Sequence, residues 1–372
     1  MRRIAQSWKM GPLEIKNRLV RSATDEGFAS KEGAPTQRLI DLDTELARGG
    51  IGLIIAGTTH ISSEGKWGDN GTGMDNDKLI EPLSCLCESV HNAGGIIAAQ
   101  LLHCGSTVNP ATLPERGPLF GPSAMIDPLF GQPVEALTKN HILNIVDDYA
   151  KAATRAKKAG FDAVQIHGAH GYLINQFLSP SRNFRTDAYG GSLKNRARFL
   201  VQVYEAIRGA VGKEFPLFIK MSAYDGFPGG VEPDDAARAA AMLDAIGIDA
   251  IEVSAGTPEG ARKGGWDHIL PAPFKEGSLL KYALAIKEAV NCPVISVEGW
   301  RSPEKIEKAL EKIDAVSMSR PLIREPYLAS RWLEGDTSPA LCISCNKCLE
   351  LQMGPGMACI FNISKMGSGL EI

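Results

Sequence analysis

The feature that most constrains this chain is a unit that recurs four times: a helix-like stretch, a Gly or short break, then a short apolar strand. The copies are Ala47–Ile55, Ala159–Ile166, Ile246–Val253 and Lys312–Met318. Gly suits a helix C-terminus because it enters the left-handed region at little steric cost. The strands are nearly unbroken apolar runs, as expected for a parallel sheet buried on both faces. Further strands are predicted at Arg18–Ala23, Ile96–Leu101, Leu217–Met221 and Pro293–Val297. Helical periodicity fills the gaps at Leu79–Asn92, Ile142–Lys158, Leu193–Ala210, Asp234–Ala245 and Leu279–Ala289. Ser302-Pro303-Glu304 reads as a helix start: a hydroxyl N-cap, Pro at the first position and an acid in the first turn.

Alternating strands and helices argue for an α/β protein with a parallel sheet, and a count of eight argues for a closed (β/α)8 TIM barrel with extended βα loops. An open doubly wound sheet is the rival, weakened because no Gly-x-Gly-x-x-Gly follows an early strand. The barrel is expected over residues 1–335, with a C-terminal cysteine-containing extension, 336–372, packed on it. Two Pro/Gly-rich stretches, Thr107–Pro133 and Gly256–Gly277, follow the third and sixth strands. They sit at the strand ends where barrel active sites are built, and loops of that length are usually functional or disordered.

Composition closes off other classes. Hydrophobic residues make up 44% and charged residues 22% of the 372, an ordinary globular balance rather than a disordered one. With 40 Lys+Arg against 43 Asp+Glu the formal charge is −3, so a basic footprint for nucleic acid or anionic lipid is missing. Residues Met1–Leu19 lack a signal-peptide core, and no apolar run reaches the roughly 18 residues of a membrane helix. The expectation is a cytoplasmic protein with no membrane or nucleic-acid partner.

Eight cysteines in a chain this long do not form a disulfide scaffold. Cys85, Cys87, Cys104 and Cys292 stand in apolar surroundings and read as buried, inert thiols. Cys342, Cys345, Cys348 and Cys359 cluster near the C-terminus, which in a cytosolic protein points to metal or redox chemistry.

Polar residues collect at the predicted strand ends. The fourth is followed by His167-Gly168-Ala169-His170-Gly171-Tyr172, two imidazoles and a phenol flanked by glycines. Buried structural histidines and a two-His metal site are the competing readings, but no third ligand lies nearby in sequence. Gln100 ends an apolar third strand, with His103 just beyond, and Lys220 closes the fifth. An inward Lys is costly to bury unless it meets an anion or an electron-rich ligand. After the seventh and eighth strands come Gly299 and Ser319-Arg320, where barrels commonly bind phosphate; Arg grips it with a planar fork. With Gln100 and Lys220, these residues imply a phosphorylated planar cofactor across the barrel mouth.

The chain resembles the old yellow enzyme family of FMN-dependent oxidoreductases, in the branch of 2,4-dienoyl-CoA reductases, trimethylamine dehydrogenase and bacterial ene-reductases. The resemblance runs from about Leu13 to Asn362. It rests on Lys16–Thr24, Ala99–His103 and the long run from His167 through Ser179-Pro180, Asn183, Arg185, Asp187 and Tyr189–Ser192 to Phe199. It implies that Ser22, Ala23, Thr24 and Asp25 lie under the flavin, that Gly57 and Thr58 end the second strand beside it, and that Gln100 meets its pyrimidine edge. It places Lys220 near N1 and O2, and Gly299, Ser319 and Arg320 on the phosphate. It makes His167 and His170 the pair that hydrogen-bonds the substrate oxygen and Tyr172 the proton donor. A phenol, with a pKa of about 10 in water, is protonated at neutral pH.

The implied activity is NAD(P)H-dependent reduction of activated C=C bonds in an enal, enone or enoate, by a homo-oligomer. The alternative is a flavin/iron–sulfur dehydrogenase, amine demethylase or dienoyl-CoA reductase-like, that exchanges electrons with a partner protein. Cys342-x2-Cys345-x2-Cys348-x10-Cys359 resembles the iron–sulfur loop of larger members. Four thiolates suit a [4Fe–4S] cluster, zinc also accepts four, and free thiols are the third reading. The larger members continue into an FAD/NAD(P)-binding half, whereas this sequence stops at Ile372. A cluster here is therefore expected to draw electrons from a separate protein or to serve structurally. Dienoyl-CoA reductases also place a catalytic His within Gly256–Asp267, where this chain has none before His268. That favours the simpler ene-reductase.

Overall fold

The computed structural model describes residues 2–115, 117–265, 275–352 and 356–362. Eight parallel strands form its centre: β1 (Leu19–Arg21), β2 (Leu53–His60), β3 (Ile97–Leu102), β4 (Ala163–Gly168), β5 (Leu217–Ser222), β6 (Ile251–Ser254), β7 (Val294–Val297) and β8 (Ala315–Met318). Each pairs with its neighbours in sequence, and β8 pairs with β1, so the sheet closes into the expected (β/α)8 barrel. The outer helices are α1 (Gln37–Arg48), α2 (Ile80–Asn92), α3 (Lys139–Ala159), α4 (Arg198–Val211), α5 (Pro233–Ala245), α6 (Leu280–Ala289), α7 (Pro303–Ala309) and α8 (Leu328–Leu333). Buried Ala152, Ala153 and Ala156 give α3 a small-residue face, and α3 packs along α4.

Local chemistry explains the recurring unit. Gly160 ends α3 at φ 94°, and its N–H returns to the carbonyls of Ala156 and Lys157. The Asp two residues later, in the repeated Asp-Ala pair, does a further job. Asp162 Oδ2 accepts from Ile97 N at 2.8 Å, Asp249 Oδ2 from Leu217 N at 2.7 Å, and Asp314 Oδ2 from Val294 N at 2.8 Å. Each carboxylate satisfies the first backbone donor of an adjacent strand, which fixes the strand's starting level in the barrel.

The interior is layered. Val20, Ala98, Ala163, Phe218, Ala250, Ile295 and Ala315 form an apolar floor, sealed from below by Trp8, Met10 and Ile15 of the hairpin Trp8–Met10/Leu13–Ile15. Side chains repeat their direction every second residue along a strand. The next inward layer is therefore Ser22, Gln100, Gln165, Lys220, Glu252, Val297 and Ser317, almost wholly polar.

Four expectations are modified. The first strand, Leu19–Arg21, is shorter than Arg18–Ala23, although the Ser22 amide still donates to the Met318 carbonyl. Ser302 precedes α7 but does not cap it; its hydroxyl donates to Glu276 Oε2 at 2.8 Å, and Glu276 also accepts from the Arg301 and Ser302 amides. Cys85 is exposed, whereas Cys87 is buried, because the two point to different faces of α2. The stretch Thr107–Pro133 is partly ordered into a small three-stranded sheet with Leu119–Gly121, Met125–Ile126 and Pro133–Ala136. After β6, Pro258–Arg262 is a short helix whose N-cap Thr257 Oγ1 accepts from Gly260 N. Among the described residues, no helix is long and apolar enough to cross a membrane.

Candidate active site

The polar layer is a single hydrogen-bonded network with Glu252 at its hub. Glu252 Oε1 accepts from Ser22 Oγ at 2.7 Å and Ser317 Oγ at 2.6 Å. Its Oε2 accepts from Gln165 Nε2 at 2.8 Å and lies 3.5 Å from Lys220 Nζ. Lys220 also donates to Ser22 Oγ at 2.7 Å. The Lys anticipated at the fifth strand end thus meets a buried anion, as burial of its charge requires.

Above this layer opens a cavity of about 650 Å³. Ser22, Ala23, Thr24 and Asp25 line it after β1, Thr58 from β2, Gln100 from β3 and Lys220 from β5. His167, His170 and Tyr172 line it after β4; Gly299, Ser319 and Arg320 line it after β7 and β8. Gly57 lies behind the wall rather than on it. A Cβ there would sit 2.5 Å from the Thr24 carbonyl oxygen, so the position needs Gly for packing. His103 is buried outside the cavity and accepts from Gly105 N through Nδ1.

The β4 end is tightly built. Ala169 N donates to His167 Nδ1 at 3.3 Å, which places the ring proton on Nε2. His170 adopts φ 62°; its amide donates to Ser222 Oγ, and its Nε2 shares a 2.7 Å hydrogen bond with Ser254 Oγ. His167 meets His170 and Tyr172 edge-on, with centroids 5.3 and 4.9 Å apart.

Opposite lies the Gly299–Arg320 end. Glu298 and Gly299 have consecutive positive φ, 84° and 77°, a turn of the kind that gathers backbone N–H groups for an anion. Ser319 is held by Arg21, which donates to its carbonyl at 2.7 Å, and by Thr24, whose hydroxyl lies 2.7 Å from Ser319 Oγ. Arg320 bonds Asn346 and lies 3.7 Å from Glu298. Asp25 is pushed up to about 7 by burial first and then by the charge of Glu26.

The outer wall is apolar and comes largely from the loops after β2 and β3: Trp67, Val108, Leu129 and Phe130. Buried Arg182 anchors this wall, donating to Asp127 at 2.7 Å and to Glu259 at 2.5 Å. It ties the loop after β3 to the loop after β6. The region around His268 lies outside the described residues.

Cys342, Cys345, Cys348 and Cys359 line a second, small cavity that shares Arg320 and Ser344 with the first. Burial raises the Cys342 and Cys348 thiols above the ordinary cysteine value. Among the described residues, no group of three or more His, Cys, Asp or Glu side chains is arranged to hold a metal ion. The thiols as placed therefore do not constitute a ligand set.

The sequence reading did not single out Glu252 or Gln165. The available signal was a polar residue between apolar neighbours in a barrel strand: Val164-Gln165-Ile166 and Ile251-Glu252-Val253.

A (β/α)8 barrel with imidazoles, a phenol, an amide, an ammonium and a guanidinium around the C-terminal mouth of its strands is the architecture of a barrel enzyme. The chain belongs to the NADH:flavin oxidoreductase / NADH oxidase family, whose sequence profile matches residues 6–337. It is 36% identical over 342 residues to an NADH oxidase of Thermoanaerobacter brockii, covering 91% of this chain and 52% of that protein. It is 39% identical over 282 residues to an NADPH dehydrogenase of Clostridium acetobutylicum, covering 75% of this chain and 79% of that protein. Its fold matches an old yellow enzyme homologue from Zymomonas mobilis at TM-score 0.76 and 31% identity, covering 92% and 96% of the two chains. A 2-naphthoyl-CoA reductase matches at TM-score 0.87 and 28% identity, covering 93% of this chain and 54% of that one. The chain thus spans about half the length of some relatives and nearly all of others.

The residues present fit the flavin that the family implies. Gln100 Oε1 is buried with no hydrogen-bond partner at the cavity wall, an acceptor awaiting a donor. Lys220 supplies a cation near it, and the Gly299–Arg320 end supplies an anion cradle.

Proposed function

We propose that this chain is an FMN-dependent reductase of activated C=C bonds in α,β-unsaturated carbonyl compounds, with NAD(P)H as reductant. The observation that carries the reading is that His167, His170 and Tyr172 share one cavity with Gln100, Lys220, Ser319 and Arg320. When bound, FMN would supply the hydride chemistry, with NAD(P)H as the source of hydride.

The protein supplies the rest. Arg320, with the Gly299 and Ser319 backbone, would hold the phosphate, Gln100 and Lys220 would hold the pyrimidine edge, and Ser22, Ala23, Thr24, Asp25 and Thr58 would flank the ring. Negative charge develops on the substrate carbonyl oxygen as its β-carbon accepts hydride. His167 Nε2–H, together with His170 and its Ser254 partner, stabilises that oxygen. Loss of one such donor typically costs about 2.7–4 kcal/mol of barrier. Tyr172 delivers the proton to the α-carbon. Trp67, Leu129 and Phe130 give the substrate an apolar seat. The wall anchored by Arg182 sets its shape.

Stopped-flow kinetics test the assignment. Tyr172→Phe is expected to slow substrate reduction by about 10²–10⁴-fold while flavin reduction by NAD(P)H stays within about twofold, since no proton is delivered to a carbon there. An equal loss in both half-reactions overturns the role of Tyr172.

A second reading draws on the four cysteines. Their shared cavity adjoins the first through Arg320. The thiols as placed are not a ligand set, so we infer an iron–sulfur cluster exchanging electrons with a partner protein only from the spacing Cys342-x2-Cys345-x2-Cys348-x10-Cys359. Iron and labile-sulfide analysis of anaerobically purified protein decides this reading, and absence of both removes it.

A further inference from the structure

The polar layer has a direction. A carboxylate accepts hydrogen bonds and donates none, whereas a side-chain amide has one accepting and one donating end. Glu252 lies between Lys220 and the amide of Gln165, at the centre of the barrel and fully buried. Gln165 must therefore turn its NH2 toward Glu252, at 2.8 Å, and its oxygen away. That oxygen then accepts from Gln100 Nε2 at 2.6 Å. Gln100 has turned its NH2 end to Gln165, so its oxygen is the end left over, buried and unpartnered at the cavity wall. Gln100 cannot reverse alone without setting its oxygen against that of Gln165, and Gln165 cannot reverse without setting its oxygen against the Glu252 carboxylate.

We propose that Glu252 is a positioning residue that acts through Gln165 to lock the amide of Gln100 with its oxygen outward, so that the cavity selects a ring edge carrying an N–H. Isoalloxazine has such an edge, the imide N3–H of its pyrimidine ring. A ring with a bare acceptor there is refused. This inference rests on the FMN reading and explains how a carboxylate that touches no ligand governs recognition of one. The same carboxylate balances Lys220, so the layer presents a cation and an oriented acceptor from one buried anion.

The test is a double-mutant cycle on FMN binding, read by quenching of flavin fluorescence with the flavin-stripped protein. Glu252→Gln replaces a group that only accepts with an amide that can also donate, so the orientation of Gln165 is no longer imposed and Gln100 is free to turn its NH2 toward N3–H. FMN binding is expected to weaken by about threefold or more, the scale of an orientation no longer fixed. Glu252→Gln also removes a charge, and that effect persists whatever residue occupies position 100. The relay effect does not. In the Gln100→Ala background, Glu252→Gln is therefore expected to change the FMN dissociation constant by less than about threefold, a loss of coupling that marks neighbours acting as one unit.

The absorbance change for loss of the N3 proton gives a second reading of the same cycle. The pH at which it occurs should fall in Glu252→Gln and fall markedly less when Gln100 is alanine. Gln165→Met keeps every charge and cuts the relay, so it guards against poor folding of the first variant. It is expected to weaken FMN binding by about threefold, because Gln100 then samples both orientations. Equal effects of Glu252→Gln in both backgrounds, or Gln165→Met binding FMN as tightly as the wild type, overturns the relay and leaves the FMN reading intact. A wild-type chain that takes up no FMN overturns both.

Discussion

The two ends of the barrel interior are built from the same strands, two residues apart, yet they obey opposite rules. At the floor, Ala98, Ala163, Phe218, Ala250 and Ala315 pack with Trp8, Met10 and Ile15, and the indole N–H of Trp8 donates to the Asn17 carbonyl at 3.0 Å. One inward step higher, Gln100, Gln165, Lys220, Glu252 and Ser317 are equally buried, and each is tied to its neighbours by hydrogen bonds. The floor is held by non-directional burial, worth about 1.5–3 kcal/mol for each large side chain. The polar layer depends on complete pairing, so its members are not interchangeable. That contrast separates a layer held by burial from a layer of paired polar groups beneath the cavity.

Breaking the pairing should have the largest effect. Lys220→Met leaves Glu252 buried without its cation and is expected to cost about 3–5 kcal/mol, measured by urea unfolding. Lys220→Met/Glu252→Gln removes both charges but keeps an acceptor for the buried partners of Glu252, and should recover most of that stability while still failing to bind FMN normally. A double variant as unstable as the single one would show that the layer does not act as a charge pair.

A smaller effect is expected where a buried acid lacks a partner. Asp43 on α1 is buried with Oδ2 unpaired, and burial together with the charge of Glu26 pushes it up to about 8. The folded state then holds this proton more tightly than the unfolded one. Its linked stability is complete below the ordinary Asp value of about 4 and declines as pH rises to about 8. Asp43→Asn should remove that decline, so that the melting temperature at about pH 9 approaches that at about pH 5. A variant with the wild-type slope would assign the titration to another group.

The smallest effect tests the floor. Ile295→Val removes one methylene from a fully buried site and is expected to cost about 0.5–1.5 kcal/mol, with the FMN dissociation constant unchanged within about twofold since no polar partner is disturbed. Loss of FMN affinity would mean the two layers are mechanically coupled.

Much of this architecture could be read from residues alone. Four apolar runs preceded by a Gly or short break, with four further apolar runs, placed all eight strands, because a strand buried on both faces leaves an unbroken hydrophobic signature. His167, His170, Tyr172, Gln100, Lys220 and Arg320 could be nominated because barrel chemistry sits at strand C-termini, and the structure brings them to one cavity. Other features were hidden. Arg182 lies within a recognisable run, but its partners, Asp127 and Glu259, are 55 and 77 residues away. Ser302 precedes a helix with the right sequence for a cap, yet Glu276, distant in the chain, takes its hydroxyl.

Sequence by itself determined the barrel, since period, turn chemistry and hydrophobicity are local properties that each segment carries with it. Only the tertiary structure decided that Glu252, Gln165 and Gln100, on three different strands, form one oriented chain ending in a buried, unpartnered acceptor at the cavity wall. The direction of a hydrogen bond depends on what lies across the barrel, and closure of the sheet is what sets those groups face to face.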